Sequence, residues 1–359
     1  MWGLFAGEAR KQPPHIPFST AIPKDPYYLE MTAVEYYIGV DLGGTNLRAA
    51  IIDTESGEIL CQKKCPTLAR QGQEAVIARM LQLIEELPAE WDLAASKIKG
   101  VGIGVPGTLN IDQGLILFLT NLPGQWREVP LQQIVQERSG YPVALINDVR
   151  AMTLSEWVFG AGRGVENLAC FAIGTGIGGG VVVNGQFHLG NGGAAGEFGH
   201  QIVEMDGPAC GCGGRGCLEL YASGPAIAAM GVKEVLHGHT TRIGELVDYD
   251  LNRITADVIV RAAQEGDAIA GEILGRAGIY LGIAVSNVVS ILSPKRIVFG
   301  GGVARAGDLL LSYVRRTVQE RVHVIPVDTI EFTTAALGDE AGLIGAALWA
   351  RRRQPQLKT

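Results

Sequence analysis

From Glu35 onward, short apolar runs alternate with segments of helical spacing. The run holding Tyr37, Ile38 and Val40 reads as a strand that ends in a glycine turn. LRAAIIDTESGEILCQKKC predicts two strands joined at Ser56-Gly57. Residues 72–87 place Val76, Met80, Leu83 and Leu87 on one helical face. Ile98–Val105 is a buried strand closed by Pro106-Gly107, and Leu131–Arg138 a short helix. Pro142–Ile146 is a strand that meets Asn147-Asp148 before a helix through Trp157. Alternation of this kind predicts an α/β fold with partly parallel sheets.

The pattern then restarts. LACFAIGTGIGGGVVVNG reads as strand, glycine turn, strand. A Gly/Cys-rich loop covers 190–217, and an Ala-rich helical region covers roughly 255–291. Lys295–Gly302 is a strand running into glycines, and Asp339–Arg352 a final helix. Each half opens with a strand feeding a glycine turn and a second strand, at Ile38–Ala50 and Phe171–Val183. That parallel predicts a structural duplication facing a common cleft.

Composition narrows the class. At ~150 residues per domain, 359 residues predict two domains. A 47% hydrophobic and 19% charged chain is globular rather than disordered or fibrous. A net charge of −7 without a basic cluster argues against general nucleic-acid binding. No run approaches ~18 consecutive apolar residues, so no membrane span is expected. Residues 1–34 carry charge early and then prolines, unlike a secretory signal. They read as a disordered leader, with Met31 as an alternative start. Three of the six cysteines crowd at 210, 212 and 217, which in a signal-less chain points to metal ligands and a reducing cytoplasm. Glycine, 49 of 359, is about twice the usual ~7%, so many places are expected where backbone turns tightly or approaches a ligand.

The glycine turns suggest phosphate sites. In Asp41-Leu42-Gly43-Gly44-Thr45-Asn46, free N–H groups and the Thr45 hydroxyl suit phosphate oxygens. Asp41 suits a hydrated Mg²⁺ bridging phosphates, though an ordinary hairpin would look similar. Gly174, Gly176 and Gly179 formally match a dinucleotide fingerprint. The β-branched VVVNG that follows predicts a strand where that fingerprint needs a helix, so a second phosphate clamp is expected instead. Gly300-Gly301-Gly302 makes a third turn, where a base or ribose would lie against backbone. Asp148, ending a strand, reads as a general base or as a helix N-cap, and the two roles are compatible. His200, Cys210, Cys212 and Cys217 match a four-ligand structural Zn²⁺ site, which leaves no position for a catalytic water. Glu197 and Glu219 flank that loop, either facing a polyol or lying solvated on the surface.

Together these residues resemble the ROK family of sugar kinases and sugar-responsive repressors, within the actin/hexokinase-like ATPase superfamily. D-x-G-G-T is met by Asp41 to Thr45, and G-T-G-x-G-G by Gly174 to Gly179. The family signature is met by GGAAGEFGH (192–200) and CGCGGRGCLE (210–219). The resemblance spans roughly residues 35–352. It implies a two-domain actin-like ATPase fold, a duplicated ribonuclease H-like unit with an interdomain cleft. The smaller domain would be 35–159 plus 338–355, and the larger, with the zinc loop, 160–337. It implies an ATP-dependent hexose kinase acting on the sugar 6-hydroxyl, with Asp148 as base and glucose the first expectation. N-acetylmannosamine, N-acetylglucosamine, mannose, fructose and allose are alternatives, and polyphosphate an alternative donor. Asn121, Asn147, Glu197, His200 and Glu219 would hold sugar hydroxyls, His200 binding zinc through its other nitrogen. Asp41 would stand near Mg²⁺, and Gly43, Gly44, Thr45, Asn46, Thr175, Gly176 and Gly301 would bind nucleotide. Partners would be a small-molecule sugar and a second copy in a homodimer, with no nucleic acid and no membrane. Family repressors carry a helix-turn-helix ahead of this unit. The segment before residue 35 shows no helical periodicity, so the enzyme is the expectation.

Overall fold

The computed structural model describes residues 35–92, 94–119, 122–123 and 126–357. The expected leader, 1–34, lies outside the described residues. The chain opens with three antiparallel strands, β1 (Tyr36–Leu42), β2 (Asn46–Asp53) and β3 (Ile59–Pro66). Helix α1 (Gln73–Glu90) follows, then β4 (Ile98–Val105). A small antiparallel sheet of β5 (Thr108–Asn110), β6 (Leu115–Phe118) and β7 (Arg127–Val129) comes next. Helix α2 (Leu131–Ser139), β8 (Val143–Asn147) and α3 (Asp148–Val158) complete this part. β4 pairs parallel with β1 and β8 pairs parallel with β4, so the first sheet runs β3-β2-β1-β4-β8.

The second sheet uses β9 (Leu168–Ile173), β10 (Ile177–Val183), β11 (Gln186–His188), β12 (Arg296–Gly300) and β13 (Glu331–Thr334). Its order, β11-β10-β9-β12-β13, repeats the first sheet strand for strand, with the same parallel and antiparallel pairings. The duplication expected from the glycine turns is therefore real. Between β11 and β12 lie α4 (Glu219–Ala222), α5 (Gly224–Leu236), α6 (Arg242–Glu245), α7 (Ala256–Gln264) and α8 (Ala268–Leu292). Helix α9 (Asp308–Arg321) precedes β13, and α10 (Ala341–Leu357) follows it.

The single helical region expected over 255–291 is two helices. Gly266 takes φ +89°, and Asp267 then caps α8, its Oδ1 accepting the Ala270 N–H at 2.7 Å. By length and composition α8 would cross a membrane. Here it is a core helix, with Leu274, Leu281, Val285 and Val289 buried beneath the second sheet's partners. The final helix begins at Ala341, after one 3₁₀ turn at Gly338–Glu340, and not at Asp339.

Two large cores result. One holds the first sheet with α1, the other the second sheet with α5, α7, α8 and α9. Although last in the chain, α10 belongs to the first core through Leu343, Ala346, Ala347 and Trp349. Its Trp349 Nε1 donates to the Leu145 carbonyl of β8 at 2.8 Å. Helices α3 and α10 cross at Gly345, where an added Cβ would stand 1.8 Å from the Ala151 carbonyl oxygen. Only glycine permits that backbone approach.

Candidate active site

The glycine turns at the ends of β1 and β9 line one cleft of about 1150 Å³ between the two sheets. A second cavity of about 580 Å³ adjoins it and shares Asp41, Asp148 and Gly301. The first turn is closed by the Gly43 N–H donating to the Asn46 carbonyl at 3.0 Å and by Thr67 Oγ1 donating to the Gly43 carbonyl. Gly43, Gly44 and Thr45 line the cleft, whereas Asn46 closes the turn as the first residue of β2. The second turn is closed by the Gly174 N–H and the Gly176 carbonyl at 2.9 Å, leaving Thr175 exposed at its tip. Gly301, with φ +83°, follows β12 on the cleft wall.

Asp41 faces Arg48 across the β1–β2 pairing. Arg48 donates from Nε at 3.1 Å and from a terminal nitrogen at 2.5 Å, both to Asp41 Oδ2. Arg48 engages that single oxygen, so Asp41 fits a hydrated Mg²⁺, which needs only one or two carboxylates and keeps several waters.

Asp148 is the first residue of α3, and the N-cap is Asn147. Asn147 Oδ1 accepts the N–H groups of Val149 and Arg150, and its Nδ2 donates to the Gly107 carbonyl at 3.2 Å. The cap role considered for Asp148 thus falls to its neighbour, a shift of one residue set by the extended backbone of Asn147. Burial at the cleft floor pushes the Asp148 pKa up to about 7, with the charge of Asp41 adding to the rise. The Val149 N–H and Arg150 pull the other way.

Two arginines escaped the sequence reading. Arg150, 4% exposed, donates from Nε to the Ala195 carbonyl at 2.9 Å and from a terminal nitrogen to Glu197 Oε1 at 2.8 Å. It ties α3 to the loop that carries Glu197, which is 47% exposed and lines the cleft. Arg48 was accessible from hairpin register alone, since a four-residue turn at 43–46 sets it opposite Asp41. No local pattern announces Arg150. Glu219 opens α4, and its Oε2 accepts the Ile177 N–H at 2.9 Å, fastening the loop to the second turn. Asn121 lies outside the described residues.

His200, Cys210, Cys212 and Cys217 come together, their ligand atoms all within 4.8 Å of one another. His200 Nδ1 stands 3.8 Å from Cys210 Sγ, and Cys212 Sγ 3.7 Å from Cys217 Sγ. Zn–S bonds of ~2.3 Å at tetrahedral angles place sulfurs about 3.8 Å apart, so the set fits Zn²⁺. The Gly214 N–H donates to Cys212 Sγ at 3.4 Å, and the Cys210 N–H to the Gly214 carbonyl. His200, Cys210 and Cys212 also line the cleft, so the cluster forms part of its wall.

Known proteins resemble this chain along most of its length. The model of the ROK family matches residues 37–353. A glucokinase of Halalkalibacterium halodurans is 35% identical over 321 residues, 89% of this chain and 96% of that protein. A putative xylose repressor of a Caldicellulosiruptor species is 30% identical, over 89% of this chain and 79% of that protein. A crystal structure of a ROK family glucokinase from Streptomyces griseus, in complex with glucose and AMPPNP, superposes with a TM-score of 0.77 at 32% identity. It covers 88% of this chain and 99% of its own. With the family model spanning nearly the whole described fold, the chain belongs to the ROK family.

Proposed function

We propose that this ATP-dependent sugar kinase phosphorylates the 6-hydroxyl of a hexose, glucose foremost, with Asp148 as general base. Asp148 carries the reading: a carboxylate with a pKa near neutrality stands on the cleft floor beside both glycine turns. The sugar lies against Glu197, His200, Glu219, Asn121 and Asn147, the last with one amide N–H left after its bonds to Gly107 and α3. Asp148 accepts the hydroxyl proton as the sugar oxygen bonds to the γ-phosphorus of ATP. The bond from that phosphorus to the β-phosphate oxygen breaks, and ADP leaves. Backbone N–H groups of Gly44 and Thr45 and of Thr175 and Gly176 meet the phosphates, those of Gly43 and Gly174 being taken by the turns themselves, and Gly301 meets the nucleoside. When bound, Mg²⁺ neutralises phosphate charge, and Asp41 is the residue that would hold it through water. The H. halodurans and S. griseus relatives, both glucokinases, support this choice of sugar. The two separate cores support a division into 35–159 with 338–355, and 160–337. A homodimer and a cytoplasmic setting belong to the same proposal, and sedimentation reads the first.

A coupled assay with ATP across glucose, mannose, fructose, allose, N-acetylmannosamine and N-acetylglucosamine tests the substrate. Glucose is expected to give the highest kcat/KM. A higher value for an N-acetylhexosamine overturns glucose, and no turnover of any sugar overturns the kinase. Parallel runs with polyphosphate read the donor.

Arg150 gives a second expectation. Arg150→Met removes the buried guanidinium that holds the half-exposed Glu197 carboxylate against α3, so that carboxylate is free to turn into solvent. The sugar KM is expected to rise at least about tenfold while the ATP KM moves less than about twofold. Steady-state kinetics with each substrate varied checks the split, and an unchanged sugar KM would sink it.

A further inference from the structure

We propose that Glu156 is a positioning residue. It gathers both connections between the two cores onto the end of α3, and so sets where Asp148 stands against the second phosphate turn. The chain leaves the first core after α3 and enters the second at β9. It returns after β13 to enter α10. Glu156 lies in the last turn of α3, two residues before its end, and is 0% exposed. Its Oε2 accepts the Ala161 N–H at 2.8 Å from the outgoing connection and the Ala336 N–H at 3.0 Å from the returning one. Its Oε1 accepts the Leu337 N–H at 2.8 Å. The Glu156 carbonyl takes the N–H groups of Gly160 and Gly162 as well.

A glutamate is almost never fully buried unless its oxygens are occupied. Here the donors explain the burial. The last ladder bond of the returning chain is the Ala335 N–H on the Phe299 carbonyl, and beyond it the backbone has no strand or helix partner until Leu337. Three backbone N–H groups that lack a ladder or helix acceptor find one in this single buried carboxylate. Gly160 makes the space, since a Cβ there would stand 2.1 Å from Oε2.

The consequence is mechanical. Helix α3 is an 11-residue rod with Asp148 at one end and Glu156 near the other. Both connections meet at one side chain, so any rotation between the two cores pivots there, and Asp148 moves with the pivot. A misplacement of about 1 Å at the reacting atoms can cost roughly a hundredfold in rate. This inference rests on the kinase reading for its catalytic readout, not for its geometry.

Glu156→Gln keeps the shape but turns one acceptor into an N–H₂ that faces N–H donors. Its kcat per folded protein is expected to fall about thirtyfold or more, with sugar and ATP KM values within about threefold of the parent. A structural role alone would lower the unfolding temperature and the active fraction without moving kcat per active site. Gly160→Ala, which presses on the carboxylate and leaves it chemically intact, is expected to show the same split. Parent-like kcat in both folded variants overturns the proposal. Should neither fold, hydrogen exchange of the parent decides. The amides of Ala161, Ala336 and Leu337 are expected to exchange as slowly as those of α3, and loop-like exchange overturns the proposal. A parent that turns over no sugar fails the kinase reading, while the exchange test still reads the clamp.

Discussion

Replacing Asp148 by asparagine is expected to lower kcat by at least about a hundredfold while calorimetric sugar affinity stays near that of the parent. The variant keeps the volume and the helix start, because the cap is Asn147, and removes only the proton acceptor. The parent's kcat/KM should fall on the acid side of about pH 7, because Asp148 is then already protonated and cannot accept the proton of the sugar hydroxyl. Stability moves the opposite way. Asp148 has its pKa raised in the fold from 3.8 to about 7, so the folded protein binds this proton more tightly. The resulting stability is present in full below pH 3.8 and is lost as pH rises through about 7. At pH 8 the parent therefore carries an ionisation cost bounded on the order of 4 kcal/mol. The asparagine variant should unfold at a higher temperature than the parent at pH 8, and the gap should close toward pH 4. Near-normal turnover in the variant removes the general-base assignment.

Cys212→Ser is expected to abolish metal binding and to weaken the sugar at least about tenfold. Elemental analysis of the parent should find about one zinc per chain. Cys212 is exposed, so its substitution does not open the core. The loop from Gly207 to Gly216 is held by turns and by the bridges Ile202–Cys217 and Ala209–Arg215, and carries little apolar burial of its own. Zinc in such a loop contributes on the order of 10 kcal/mol of local folding free energy. His200 and Glu219 sit at the two edges of that loop, so both lose their placement when it melts. Metal-free protein with full activity would show that the cluster does not shape the site.

Much of the frame was legible because it is local. Strand, glycine turn and strand recur at the same place in both halves, and hairpin chemistry is written within a dozen residues. The Cys₃His set was legible for the same reason. The small sheet of β5, β6 and β7 was not, since strands of three or four residues show no period. The break between α7 and α8 was passed over because apolar spacing resumes at once beyond Gly266-Asp267. The partners of Arg150 and Glu156 stand far along the chain, Glu197 in one case and Ala336 with Leu337 in the other. Periodicity carries no trace of contacts at that separation. A buried charge on a helix announces that a partner exists but not where.

Helix α10 has a consequence for synthesis at the ribosome. The first sheet is made before the second, yet its core is incomplete until Leu343 to Ala350 arrive. Trp349 must reach the Leu145 carbonyl, and Arg351 the Thr54 carbonyl. The second core, by contrast, closes from contiguous sequence between Ala169 and Ile330. Vectorial folding is thus inverted: the half translated first is finished last, after the half translated second has the means to fold. Nascent chains stalled before residue 341 would expose the apolar face of β1 and β4, and would be the natural clients of chaperones.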